Sequence, residues 1–116
     1  GVPVNDFNNK KIQLQPVLQP DTIRGSIIYI DSYGNVITNI SKIEFNQVKK
    51  GRSFTILFGR EDEMIYKIST KYRDVPIAEK LALFGENDQL QIAINKGMAS
   101  KLLGLNLHEI VRVEFR

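Results

Sequence analysis

Asp31, Tyr33 and Asn35 lie within five residues of one another, in the joint between two apolar runs. A carboxylate at a strand end can pair with a ligand ammonium. An amide offers a donor and an acceptor together, the pattern needed at a purine edge. Tyr33 supplies a ring that can wall a pocket. The alternative is structural: Asp and Asn in a tight joint bond their own backbone, and the tyrosine simply packs. Residue type alone leaves both open. Tyr72 offers a second ring on a segment that Pro76 interrupts. It either packs on the core or covers a flat ligand base, and stacking of that kind contributes ~1–3 kcal/mol. Asp74 is expected to be a turn former. Asn87 and the pair Asn95-Lys96 add polar groups in later turns.

Other chemistries find little support. His108 is the single histidine, beside Glu109 in a turn-like region, where a surface position is expected. No Ser-His-Asp or Cys-His arrangement can be built around it. Glu61, Asp62 and Glu63 are consecutive, so on a strand they alternate faces and cannot share one ion; a solvated hairpin tip is expected. No metal site and no catalytic residue is assigned. Gly85 and Gly97 do not make a dinucleotide fingerprint, and there is no phosphate-cradling Walker loop. The chain contains no cysteine, which excludes disulfides, thiolate metal sites and a cysteine nucleophile.

The elements that must position these groups are short. Ile27 to Ile30 are β-formers in a row, as in a strand buried on both sides. Asp31 to Asn35 supply turn chemistry, and Val36 to Ile40 resume a strand. Ser41 and Glu44 have capping-box spacing, predicting a short helical turn that ends by Gly51, with Ile43, Phe45 and Val48 as anchors. Phe54, Ile56 and Phe58 alternate, and after a polar turn so do Met64, Tyr66 and Ile68, which predicts a second hairpin. Leu81–Phe84 and Gln89–Ile94 flank the turn Gly85–Asp88. Asn95 is expected to cap a helix from about Lys96 to Leu102, with Gly104 as its stop. Val111, Val113 and Phe115 face inward on a last strand. About seven strands with one or two helical turns give an all-β fold, a small antiparallel barrel whose closure hides its edges. Pattern alone does not separate a barrel from a sandwich.

The 116 residues suit one domain, and shares of 42% hydrophobic and 25% charged are ordinary for a soluble protein. The formal charge is +3. Its nearest basic cluster, Lys49-Lys50-Gly51-Arg52, is expected to be a solvated loop, so no nucleic-acid partner is expected. No apolar run approaches the ~20 residues of a membrane span, so no membrane partner is expected either. The first 22 residues, with three prolines, are expected to be an extended linker and residues 23–116 the barrel domain. A start at Gly1 fits a piece of something longer.

The order Asp31-x-Tyr33-Gly34-Asn35-Val36-x-Thr38-Asn39-Ile40 resembles the signature that opens the C-terminal domain of the S-adenosyl-L-methionine hydroxide adenosyltransferases, relatives of the fluorinases and chlorinases. Tyr72-Arg-Asp-Val75 is similar to the family's aromatic-x-Asp-Val element. Leu90-Gln-Ile-Ala-Ile-Asn-Lys-Gly-Met-Ala99 is similar to its Leu-Glu-Ile-Ala-x-Asn-x-Gly-x-Ala element. The three stand in the family's order and cover most of the chain from Gly25 onward.

The resemblance implies a small Greek-key β-barrel. It implies that Asp31 holds the methionine amino group, that Asn35 bonds the adenine, that Tyr33 walls the pocket and that Tyr72 covers the base. The backbone around Asn95 and Lys96 would read the adenine edge. The family's Asn-Ser-x-Gly turn is here Gly85-Glu86-Asn87-Asp88. Glu86 replaces the serine that contacts the methionine carboxylate and Asp88 the glycine, which leaves backbone N–H groups or Asn87 as donors.

S-Adenosyl-L-methionine would be a substrate, with no cofactor. The implied reaction is displacement of methionine by water, in the cytoplasm. The water-activating Asp-Arg-His group lies in the family's N-terminal domain, so this chain alone is expected to be inactive. The implied partners are that N-terminal domain and, in the full-length protein, a homotrimer with the site between subunits. Two alternatives are a stand-alone β-barrel binding module and a family member that has lost the reaction.

Overall fold

Short strands, all paired antiparallel, build the molecule. The computed structural model describes residues 15–59, 63–85 and 87–116. Its strands are β1 (Val17–Gln19), β2 (Thr22–Ile30), β3 (Val36–Ser41), β4 (Phe54–Phe58), β5 (Glu63–Ile65), β6 (Lys80–Phe84), β7 (Gln89–Ile94) and β8 (Ile110–Phe115). Among the described residues there are two α-helices, α1 (Lys42–Lys49) and the one-turn α2 (Ala99–Leu102), and a 3-10 turn over Tyr72–Asp74. The strand order is β5-β4-β8-β2-β3-β7-β6, with β1 paired to β2.

The sheet curls into a nearly closed barrel, the architecture expected. Its end strands β5 and β6 meet without a ladder between them. Lys80 and Glu63 bridge them at 3.2 Å, and the Ser69 amide donates to the Ala82 carbonyl at 2.7 Å. No helix among the described residues is long and apolar enough to cross a membrane.

Alternation fills the barrel. Ile23 and Ile27 of β2, Val36 and Ile40 of β3, Ile56 of β4, Ile92 of β7 and Val111 and Val113 of β8 are fully buried. Helix α1 closes one end. Ser41 accepts from the Glu44 amide at 3.1 Å, and the Glu44 carboxylate accepts from the Ser41 amide at 3.1 Å, so the predicted capping box is present. The helix stops where Lys50 turns left-handed, at φ 47°. It presses Phe45 edge-on against Phe54, Phe84 and Phe115, with ring centroids 5.0, 5.4 and 5.6 Å apart. Such edge-to-face contacts add to the area that the rings bury.

A second, smaller core lies on the opposite faces of β6 and β7. Leu81, Leu83 and Ala93 are buried there, while Ala82 and Ile92 point into the barrel. These two strands are therefore covered twice, and the outer cover includes Val75 of the segment between β5 and β6.

Several local expectations give way. Tyr29 is 59% exposed and Ile43 72% exposed, so β2 is not buried on both sides and α1 is anchored by Phe45 and Val48 alone. In β5 the inward residue is Ile65, opposite Ile56, whereas Met64 and Tyr66 point out. One residue of register reverses every side chain of a strand, and the Ile56–Ile65 pair decides it. The predicted acidic tip at Glu61 and Asp62 lies outside the described residues.

Asn95 does not cap α2. That helix begins at Ala99, after a turn in which Lys96 has φ 60°, and its N-cap is Met98 with no side-chain bond. Of the expected linker, residues 1–14 lie outside the described residues, and Val17–Gln19 pair with β2.

Candidate ligand-binding site

The β2–β3 joint is built by one carboxylate. Asp31 Oδ1 accepts from the amides of Tyr33 and Asn35, each at 2.9 Å, and Oδ2 accepts from Asn35 Nδ2 at 3.2 Å. The Asp31 amide donates to the Asn35 carbonyl at 3.0 Å, closing the loop above the Ile30–Val36 pair. This is the self-bonding Asx geometry that these residue types favour.

Asn35 is buried, at 8% exposure, and its Nδ2 also donates to the Tyr72 hydroxyl at 3.2 Å. Because a carboxylate only accepts, Asp31 fixes which way the Asn35 amide points. Both Nδ2 hydrogens are committed, and Oδ1 remains to accept a donor from outside.

Gly34 takes a left-handed φ of 81°, and a Cβ there would lie 2.6 Å from the Met98 Cβ. The Gly34 carbonyl also accepts from the Ser100 amide at 2.9 Å. The joint is thus pressed against the start of α2, and only glycine allows both the conformation and the approach.

The segment Tyr72–Glu79 lies over the outer face of β6 and β7. Val75 packs on the second core, and Asn95 Nδ2 donates to the Val75 carbonyl at 2.8 Å. The Asn95 backbone donates to the Glu79 carbonyl at 3.0 Å and accepts from the Ala78 amide at 2.8 Å. Asn95, 7% exposed, fastens the segment to the sheet from inside. Asp74 sets the turn that carries Tyr72: its Oδ2 accepts from the Thr70 amide and hydroxyl at 3.0 Å and from the Lys71 amide at 3.2 Å. The amide bonds from Thr70 and Lys71, then the Thr70 hydroxyl, hold its pKa below the usual carboxylate value.

Two open depressions flank the Tyr33, Asn35 and Tyr72 side chains, which line both. The first, about 610 Å³, is completed by Ser32, Ile94, Lys96, Gly97 and Met98. The second, about 860 Å³, takes Asp31 and Asn87 and a floor from the sheet. Part of that floor is a single row across four strands, in which Tyr29 pairs with Ile37, Ile37 with Gln91, and Gln91 with Leu83.

Of the residues singled out from sequence, Asp31, Tyr33, Asn35, Tyr72, Asn87 and Lys96 line these depressions, and Asn95 does not. Asp88 lines neither. It is exposed in a left-handed turn at φ 56°, a conformation in which Asp is better tolerated than most residues. Glu86 lies outside the described residues. His108 is exposed and lines neither depression.

Sequence reasoning missed Met98, Gln91 and Tyr29. Met98 sits inside the Gly97-Met98-Ala99 run and could have been found there. Gln89 and Gln91 alternate with buried Leu90 and Ile92, a sign of an outward polar face.

Residues 25–112 match the family model described as the SAM hydroxide adenosyltransferase C-terminal domain. Two solved structures share the fold. An uncharacterized conserved protein from Thermotoga maritima superposes with a TM-score of 0.74 at 24% identity, over 89% of this chain and 39% of that one. A conserved hypothetical protein from Thermus thermophilus gives 0.66 at 23%, over 97% and 41%. The chain therefore spans about two fifths of the length of each.

Proposed function

Since this chain belongs to the SAM hydroxide adenosyltransferase family through its C-terminal domain, we propose that it is the substrate-binding part of an enzyme that hydrolyses S-adenosyl-L-methionine. The supporting observation is the hydrogen-bonded chain Asp31–Asn35–Tyr72, standing between the two depressions. A ligand with a flat base at one end and a charged amino acid at the other matches that pair of spaces. The base lies in the depression with Tyr72, Ile94, Gly97 and Met98, and the exocyclic amine of adenine donates to Asn35 Oδ1. The methionine ammonium faces Asp31, whose carboxylate also bonds its own loop. Asn87 offers the methionine carboxylate a donor.

In the reaction, water attacks the ribose C5′. The new C5′–O bond forms as the C5′–S bond breaks, and the bonding pair leaves on sulfur as neutral methionine thioether. The water loses a proton, and the other product is adenosine. A sulfonium leaves readily, so catalysis is mainly positioning and desolvating the nucleophile. Neither depression is lined by histidine. The group that takes the proton belongs to the N-terminal domain, and the site is closed by that domain from a neighbouring subunit of a homotrimer. Tyr33, a large ring left 76% exposed, is where that cover would sit.

The test is a pair of substitutions in the full-length enzyme, with binding of S-adenosyl-L-methionine and of adenosine measured by calorimetry. Asn35→Ala should weaken both ligands. Asp31→Asn keeps an oxygen for the Tyr33 and Asn35 amides but removes the charge. It should weaken S-adenosyl-L-methionine roughly tenfold to a hundredfold, the range for a lost charge-assisted bond. Adenosine, which has no ammonium, should lose less: only what the new N–H set against Asn35 Nδ2 costs the orientation of that amide. Equal losses for both ligands would make Asp31 a loop-building residue only.

A further inference from the structure

A separate cavity of about 380 Å³ opens beside the seam where β5 and β6 fail to pair. Its walls are Phe45 of α1, Phe54 of β4, Phe84 of β6 and Ile68 of the crossing segment. Its size lies in the range of small-molecule pockets, and rings set edge to face present both faces and edges to a further ring.

The polar lining residues are Lys42, Asn46, Lys49, Ser69 and Thr70, and the charges among them are of one sign. Lys42 and Lys49 are seven residues apart on α1, two turns and about 10 Å along the axis, so both stand on the face that lines the cavity. Among the described residues no carboxylate lines it. The ion pairs among the described residues are Lys80–Glu63 and Arg112–Glu114, so both of these lysines lack an acidic partner there. Ser69 also lines the cavity and is 6% exposed. Its amide is bonded to Ala82, but its hydroxyl makes no hydrogen bond among the described residues. A hydroxyl without a protein partner on a cavity wall is open to a polar atom of a ligand.

We propose that this cavity is a second binding site, for a small aromatic carboxylate whose ring fills the phenylalanine-walled space. The carboxylate meets the Lys42 and Lys49 ammonium groups at the rim, and a polar substituent on the ring bonds Ser69. Among the described residues this site shares none with the depression proposed for the base, and Phe84 with the depression beside Asp31.

The test uses fluorescent arenes with the 116-residue chain. 2-Naphthoate should bind saturably, and neutral methyl 2-naphthoate roughly tenfold more weakly. A Lys42→Gln, Lys49→Gln double variant should abolish that preference. 6-Hydroxy-2-naphthoate should bind more tightly than 2-naphthoate, and Ser69→Ala should remove the advantage. Adenosine should displace none of them. The proposal is overturned if 2-naphthoate shows no saturable binding, if the double variant binds it as the parent does, if Ser69→Ala leaves the hydroxyl advantage intact, or if adenosine competes.

Discussion

Asn35 has two amide hydrogens and both are committed, one to Asp31 and one to Tyr72. From sequence, Asp31 and Asn35 were open between loop building and ligand contact. The geometry establishes the first and is compatible with the second: the Asp31 carboxylate accepts three hydrogen bonds that build the loop, Asn35 lines both depressions and Asp31 lines the second. Residue types could not show this, because an Asx turn and a ligand contact call for the same atoms. Tyr72 separates the two contributions experimentally. Tyr72→Phe keeps the ring and removes the oxygen that accepts from Asn35. It should cost adenosine only a few-fold in affinity, about one ordinary hydrogen bond of 0.5–1.5 kcal/mol. Tyr72→Ala removes the ring as well and should cost a further ~1–3 kcal/mol if the ring covers the base. Calorimetry on both variants decides it: equal affinities would mean that the ring touches no base.

At the scale of elements, the segment from Tyr72 to Glu79 decides where the ring stands. Val75 on the second core and Asn95 on its carbonyl hold the far end, and Asp74 holds the near one. The pKa of Asp74 is lowered in the folded chain, chiefly by the Thr70 and Lys71 amides. A lowered carboxylate pKa contributes order that is full above the unfolded value, near 3.9, and is lost as pH falls through the folded value. The Thr70 and Lys71 amide resonances should therefore keep their positions from neutral pH down to about 5 and move only in stronger acid. In Asp74→Asn they should already be displaced at neutral pH, and unchanged resonances there would remove Asp74 from this role.

The central hairpin, the capping box of α1, the β6–β7 pair and the inward face of β8 were all legible, because each carries its own local signal. The outward Tyr29 was not. It lies in an unbroken apolar run, and what exposes it is the depression on the outer face of the sheet, which no local period encodes. Asn95 was read as a helix cap for a similar reason. Its true partner, Val75, is twenty residues away.

For the molecule as a whole, the pattern reached an antiparallel all-β fold without separating a barrel from a sandwich; the expected barrel is there and nearly closed, and whether β5 pairs β6 depends on ends far apart in sequence. The chain spans 39% and 41% of the two solved structures that share its fold, and neither depression is lined by a histidine. The purified chain should fold and should release no adenosine from S-adenosyl-L-methionine, as read by chromatography; turnover would mean that the proton acceptor lies within these residues. The central claim is that the cleft between the β2–β3 joint, Tyr72 and the start of α2 receives the adenosine part of the substrate. A ¹H–¹⁵N correlation spectrum of this chain, titrated with adenosine, tests it most directly, because it reports even millimolar binding residue by residue. The account predicts saturable shifts at Gly34, Asn35, Tyr72, Gly97 and Met98, with the amides around Phe54 unmoved. Shifts confined to other surfaces, or none up to the solubility limit of adenosine, would contradict it.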